Sequence, residues 1–97
     1  MLVTPDIERF EVLVGQPFEL RRDAGTLTLR LASARRSGMP ARLGTREPFV
    51  LTFNGPPAPL LGQSIYPLAH RELGEIEIFL VPVGCDAAGV RYEAVFG

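Results

Sequence analysis

The most constraining feature of the chain is the run Thr26-Leu27-Thr28-Leu29-Arg30-Leu31, in which every second residue is leucine. A β-strand turns successive side chains to opposite faces, so this run puts three leucines on one side and leaves two threonines and an arginine on the other. The same period of two governs Phe18-Glu19-Leu20-Arg21, Phe49-Val50-Leu51-Thr52-Phe53 and Arg91-Tyr92-Glu93-Ala94-Val95-Phe96, where Tyr92, Ala94 and Phe96 share a face. Ile65-Tyr66-Pro67-Leu68-Ala69 is a shorter strand that Pro67 restricts to an edge or an irregular register, because proline has no N–H to donate. The sixth segment, Glu75 to Val81, starts as strict alternation and turns apolar on both sides from Ile78 onward. That change predicts burial of both faces at its far end, under a helix or under another subunit, with Phe79, Leu80 and Val81 as core or interface. Six strands at hairpin-like spacing predict a mainly β fold, a small antiparallel barrel or sandwich.

The segments between the strands carry turn chemistry. Asp23-Ala24-Gly25 predicts a hairpin between the first two strands, His70-Arg71-Glu72-Leu73-Gly74 the loop of another, and Asp86 to Gly89 a further turn. From Ser33 to Thr45 the alternation dissolves, which predicts a mobile loop carrying Arg35, Arg36 and Arg42. Asn54-Gly55-Pro56-Pro57-Ala58-Pro59 cannot pair in a sheet and reads as a rigid connector. Near the start, Thr4-Pro5-Asp6-Ile7-Glu8 has the order of a helix start: a capping threonine, a proline suited to the first turn and acids that complement the positive helix end. Ile7, Phe10 and Val14 follow at helical spacing, and Gly15 is placed to end one short helix.

With 97 residues the chain holds one core, so residues 1–97 are expected to form a single β-rich domain. Hydrophobic residues at 46% against 22% charged give enough apolar surface to offset ordering entropy. A formal charge of -1 argues against nucleic acid, whose binding needs accumulated positive charge. The mean conceals an asymmetry, however. All ten basic residues are arginine, a bias expected of a GC-rich genome, and seven of them lie between residues 21 and 46 beside a single acid, Asp23. That segment carries +6 and the remainder -7. Acids at Asp6 and Glu8 do not fit a secretory leader, and no apolar stretch approaches about 18 residues, so the expected setting is cytoplasmic, with no membrane contact. The protein could still leave the cell inside a larger particle.

Residues able to carry chemistry are few. His70 is the only histidine and has too few companions for a zinc site, so it reads as an exposed or locally hydrogen-bonded loop residue. Cys85 is the only cysteine; it can form no internal disulfide, and the neighbouring Asp86 carboxylate disfavours a thiolate. Glu75 and Glu77 emerge on one face of a strand, as acid–base pairs do, but the face opposite is Ile76 and Ile78, which makes them the solvated side. No phosphate loop, dinucleotide glycine pattern or nucleophile elbow occurs. No cofactor, metal or catalytic residue is therefore expected. The arginines Arg35, Arg36 and Arg42 are candidates to dock an acidic partner, or the acidic half of another copy, since guanidinium forks grip carboxylates at interfaces. Leu60 and Leu61, following three prolines, either fold back over the barrel mouth or meet a partner.

Gly15-Gln16-Pro17-Phe18, Arg46-Glu47-Pro48-Phe49 with Leu51, Phe53, Gly55 and Pro56, Tyr66, Leu68, His70 with Glu72-Leu73-Gly74, Phe79-Leu80-Val81-Pro82 with Gly84, and Arg91 to Phe96 together make a pattern. It resembles a family of small bacterial proteins of unknown function whose members are often encoded beside phage tail-collar-like proteins. The resemblance spans nearly the whole chain and brings no catalytic residues with it. It implies a non-catalytic structural or accessory interaction module, acting through a protein partner or self-association and linked to phage-tail-like assemblies. Two rivals are a small β-barrel that binds an apolar small molecule, and an enzyme whose site is shared between subunits, with His70 and Glu72 of one copy facing Cys85 of another.

Overall fold

The computed structural model describes residues 6–23, 25–38 and 47–96. Thr4, Pro5, Arg42 and Arg46 lie outside them. One short helix, α1 (Ile7–Glu11), precedes six strands, β1 (Pro17–Arg22), β2 (Gly25–Arg36), β3 (Phe49–Gly55), β4 (Ser64–His70), β5 (Gly74–Asp86) and β6 (Gly89–Phe96). The strands close into a barrel in the order β1-β2-β3-β6-β5-β4, with every neighbouring pair antiparallel. Of the two architectures that alternation allowed, the closed one is adopted.

The barrel consists of two three-stranded meanders, β1-β2-β3 and β4-β5-β6. They meet at two seams. The seam between β3 and β6 runs the length of β3, from Phe49 opposite Phe96 to Gly55 opposite Val90. The seam between β1 and β4 is held by a single bridge, Glu19 opposite Ala69. Pro67 borders that second seam, and its missing N–H is tolerated where the ladder is already sparse.

Alternation in the sequence becomes burial in the structure. Leu29, Leu31, Leu51, Phe53, Leu68, Leu80 and Tyr92 fill the interior, and each is shut off from solvent. Removing one such side chain from water contributes about 1.5–3 kcal/mol, and that sum over the core is what offsets chain entropy. Phe18 meets Phe53 edge-on at 5.3 Å between ring centroids.

Each end of β3 has its own plug. At the Phe49 end, α1 packs Phe10 against both Phe49 and Phe96, which are themselves stacked at 4.9 Å. Ile7 and Leu13 are buried with it, Gly15 turns the chain at φ +93°, and its N–H donates to the Leu31 carbonyl. The expected helix is thus present but shorter: Asp6 stands at its N-cap position without a side-chain capping hydrogen bond, and Leu13 rather than Val14 turns inward. At the Gly55 end, the proline-rich connector must pass β6 and β5 to reach β4, and it lays Leu61 over the core. The Tyr92 hydroxyl accepts the Leu61 backbone N–H at 3.0 Å, so a buried donor is satisfied. Gly55 makes room for this ring; a Cβ there would lie 2.6 Å from Leu29 Cδ2 and 3.2 Å from Tyr92 Cε2.

Two expectations about strand length are corrected. β2 does not stop at Leu31 but continues to Arg36, so Ser33, Ala34, Arg35 and Arg36 are strand rather than mobile loop. A bulge between Leu31 and Ser33 is the reason: the extra residue shifts the phase, and Ala34 instead of Ser33 becomes the next inward position, opposite Leu51. β5 likewise runs on to Asp86 through a second bulge between Pro82 and Gly84. Of the two expected covers for the two-faced apolar part of β5, the helix is not the one. α1 packs against β2 and not β5, and Phe79 remains 44% exposed.

Candidate interaction surface

The arginines named by the sequence do not form one patch. Adjacent residues on a strand face opposite ways, and Arg35 and Arg36 follow that rule. Arg35, opposite Val50, lies on the outer face and reaches Glu93 of β6 at 3.3 Å. Arg36, opposite Phe49, lies at the barrel end and reaches Glu8 of α1 at 3.1 Å and Glu47 at 3.8 Å. A backbone hydrogen bond and the Arg36 guanidinium hold the Glu8 carboxyl below its ordinary range, and the hydrogen bond to Glu8 raises Arg36 in turn. Arg36 therefore fastens the helix plug to the barrel. The leucine pair is split as well: Leu61 is 3% exposed and caps the chain's own core, whereas Leu60 is 64% exposed.

Of the two readings of His70, the locally hydrogen-bonded one holds and the exposed one does not. It ends β4, is buried, and its ring packs on Phe18 at 4.8 Å. The Glu72 backbone N–H donates to Nδ1 at 3.0 Å, so the proton resides on Nε2, which donates to Gln16 Oε1 at 2.8 Å. Gln16 leads into β1. The imidazole thus clasps the sparse β1–β4 seam with both nitrogens committed. A shallow cleft of about 440 Å³ lies above it, lined by Gln16, Pro17, Glu19, Ala69 and Arg71. Cys85 is exposed at the far end of β5 and borders a separate polar cleft of about 360 Å³ with Asp86 and Arg91. His70 abuts the opposite end of that strand, so the fold keeps imidazole and thiol apart. Among the described residues, no group of three His, Cys, Asp or Glu side chains is placed to hold a metal ion, and no helix is long and apolar enough to cross a membrane.

What the structure does assemble is an apolar row on the outside of the barrel. Ile65 of β4 is directly opposite Phe79 of β5, and Val50 of β3 is directly opposite Val95 of β6. Val81 faces Glu93 across the β5–β6 ladder; continuing that register by two residues sets Phe79 level with Val95. Ile65 is 60% exposed and Val95 67%. Single exposed apolar residues are ordinary, but a row across four strands is not. Sequence reasoning flagged Phe79 and passed over Ile65, Val50 and Val95. The signal was the same in all of them, an apolar residue at a position the alternation assigns to solvent.

Charged residues border the row. Beyond Val50 stands Arg35 on β2; beside Phe79, on β5, stand Glu77 and Glu75, opposite Pro67 and Ala69. Both glutamates are exposed, as their alternation predicted.

A family model described as a domain of unknown function, DUF6916, matches residues 5–96. No curated protein and no solved structure matches the chain.

Proposed function

Because the chain belongs to the DUF6916 family of domains of unknown function, we propose that it is a non-catalytic structural or accessory module that works by docking a protein on the outside of its barrel. The observation that carries this reading is the outward row of exposed Ile65, Phe79 and Val95 with half-buried Val50. Apolar surface left in water costs about 25 cal/mol per Å², and a chain that buries its interior so fully has no folding need for a second greasy face. The packed interior also weighs against an enclosed apolar ligand, since side chains already occupy that space.

Phage-tail-like assemblies are the proposed setting, supported by the resemblance to proteins encoded beside tail-collar-like genes. Photo-crosslinking in the native cell tests the docking reading. A crosslinker replacing Phe79 or Val95 should give protein adducts that one replacing Thr28, outward on the far side, does not. Equal adducts from all three positions, or none from any, would refute it. Comigration of the protein with tail-like particles on a density gradient tests the setting.

A further inference from the structure

We infer that the β1–β4 seam is an acid-released latch: protonation of His70 frees it from Gln16 and lets the barrel part along that seam while the β3–β6 seam holds. The inference goes beyond the docking reading, since no residue of the apolar row takes part in it. The two seams are unequal. β3 and β6 pair at seven positions, from Phe49 opposite Phe96 to Gly55 opposite Val90, whereas β1 and β4 pair at one, Glu19 opposite Ala69. Continuing that register by two residues sets Arg21 opposite Pro67, which has no N–H to give. The bond from His70 Nε2 to Gln16 Oε1 at 2.8 Å supplements this sparse ladder. Gln16 is itself fixed, its carbonyl accepting the Leu31 N–H at 3.0 Å, so the bond ties the end of β4 to the first meander.

The latch works only with a neutral ring. Nδ1 accepts the Glu72 N–H at 3.0 Å, and a proton added there would set two N–H groups head to head. Turning the ring over brings no relief, because both nitrogens of an imidazolium are donors. A charged ring only 4% exposed and left with an unpaired donor is costly, whereas the shallow cleft above it offers water. A ring that swings out into the cleft leaves Gln16 and Phe18 together. The charged groups around it are Glu19 and Arg21 of β1, Arg71 and Glu72 of the turn, and Glu75 of β5. All five are exposed, so solvent screens them and the hydrogen-bond pattern decides. Gln16, Phe18 and Gly74, which also pack or pair there, bring no charge. The closed seam thus holds one proton fewer than the parted one, and acid favours parting. Parting frees β1 and β4 as strand edges, the form of backbone that an extended peptide pairs with.

Hydrogen exchange followed by mass spectrometry on the full chain, with each rate divided by its intrinsic value at that pH, tests the latch. Between about pH 7.5 and about pH 5, peptides from β1 and β4 should lose protection by about tenfold, the size of one hydrogen bond. Peptides from β3 and β6 should keep theirs. His70→Asn puts an amide oxygen where Nδ1 accepts and does not titrate, so its profile should be flat. Gln16→Ala removes the bond across the seam and should show, already at about pH 7.5, the protection that the wild type shows in acid. A flat wild-type profile in β1 and β4, or a loss shared equally by β3 and β6, would overturn the inference. So would a His70→Asn chain that still loosens in acid, or a Gln16→Ala chain as protected as the wild type at the higher pH. The first two outcomes read the wild type alone, so a variant that fails to fold does not spare the inference. Crosslinking at Phe79 bears on none of them, and the docking reading stands or falls separately.

Discussion

Leu80 and Phe79 are neighbours on β5 and belong to different worlds. Leu80 points into the barrel with no solvent exposure, whereas Phe79 points out and stays 44% exposed. Both are large and apolar, so composition cannot tell them apart; only the parity of the strand does. The difference separates two uses of apolar surface, one that holds the chain folded and one that is free to meet something else.

Substitutions on the two sides should therefore diverge. Leu80→Ala opens a cavity in a close-packed interior and should cost about 2–5 kcal/mol in urea denaturation. Gly55→Ala tests whether the inner side tolerates added volume. Its methyl group meets Leu29 Cδ2 and the Tyr92 ring, and a loss of about 1–3 kcal/mol is expected. Tyr92→Phe keeps the ring and removes the hydroxyl, leaving the buried Leu61 N–H without its acceptor; about 1–2 kcal/mol should be lost. Phe79→Ala, one residue from Leu80, should change stability by less than about 1 kcal/mol while removing the proposed docking anchor. A loss as large as that of Leu80→Ala would erase the distinction between the two sides.

The smallest effect concerns the helix plug. A backbone hydrogen bond and then the Arg36 guanidinium hold the Glu8 carboxyl below its ordinary range, so these contacts add stability above the unfolded-state pKa and lose it as pH falls through the lowered folded-state value. Urea melts at about pH 7 and about pH 3 should show a small deficit for Glu8→Gln at the higher pH that shrinks at the lower.

How much of this was legible in the residues follows from the same parity rule. Leu27, Leu29 and Leu31, or Tyr92, Ala94 and Phe96, declare their face because an unbroken ladder keeps the phase. The reading of β2 ended where a bulge inserted a residue, and with it went the recognition that Arg35 and Arg36 face opposite ways. Alternation names the two faces of a strand but not the strand's neighbours. That Ile65, Phe79, Val95 and Val50 share a row depends on β3 lying beside β6, a pairing of segments some forty residues apart that no local pattern encodes. His70 escaped for a related reason. Its partner Gln16 is 54 residues away, and only barrel closure brings them together.

The barrel's division into two meanders carries a consequence for how it could be taken apart. Each meander is continuous in sequence, and the only covalent link between them is the connector of residues 56–63. A chain cleaved in that connector would yield two fragments of opposite charge, each with its hairpins local and each missing the other's half of the core. Mixed, they should recombine by zipping the long β3–β6 seam first and latching the sparse β1–β4 seam last, with the His70–Gln16 contact forming as the ring shuts.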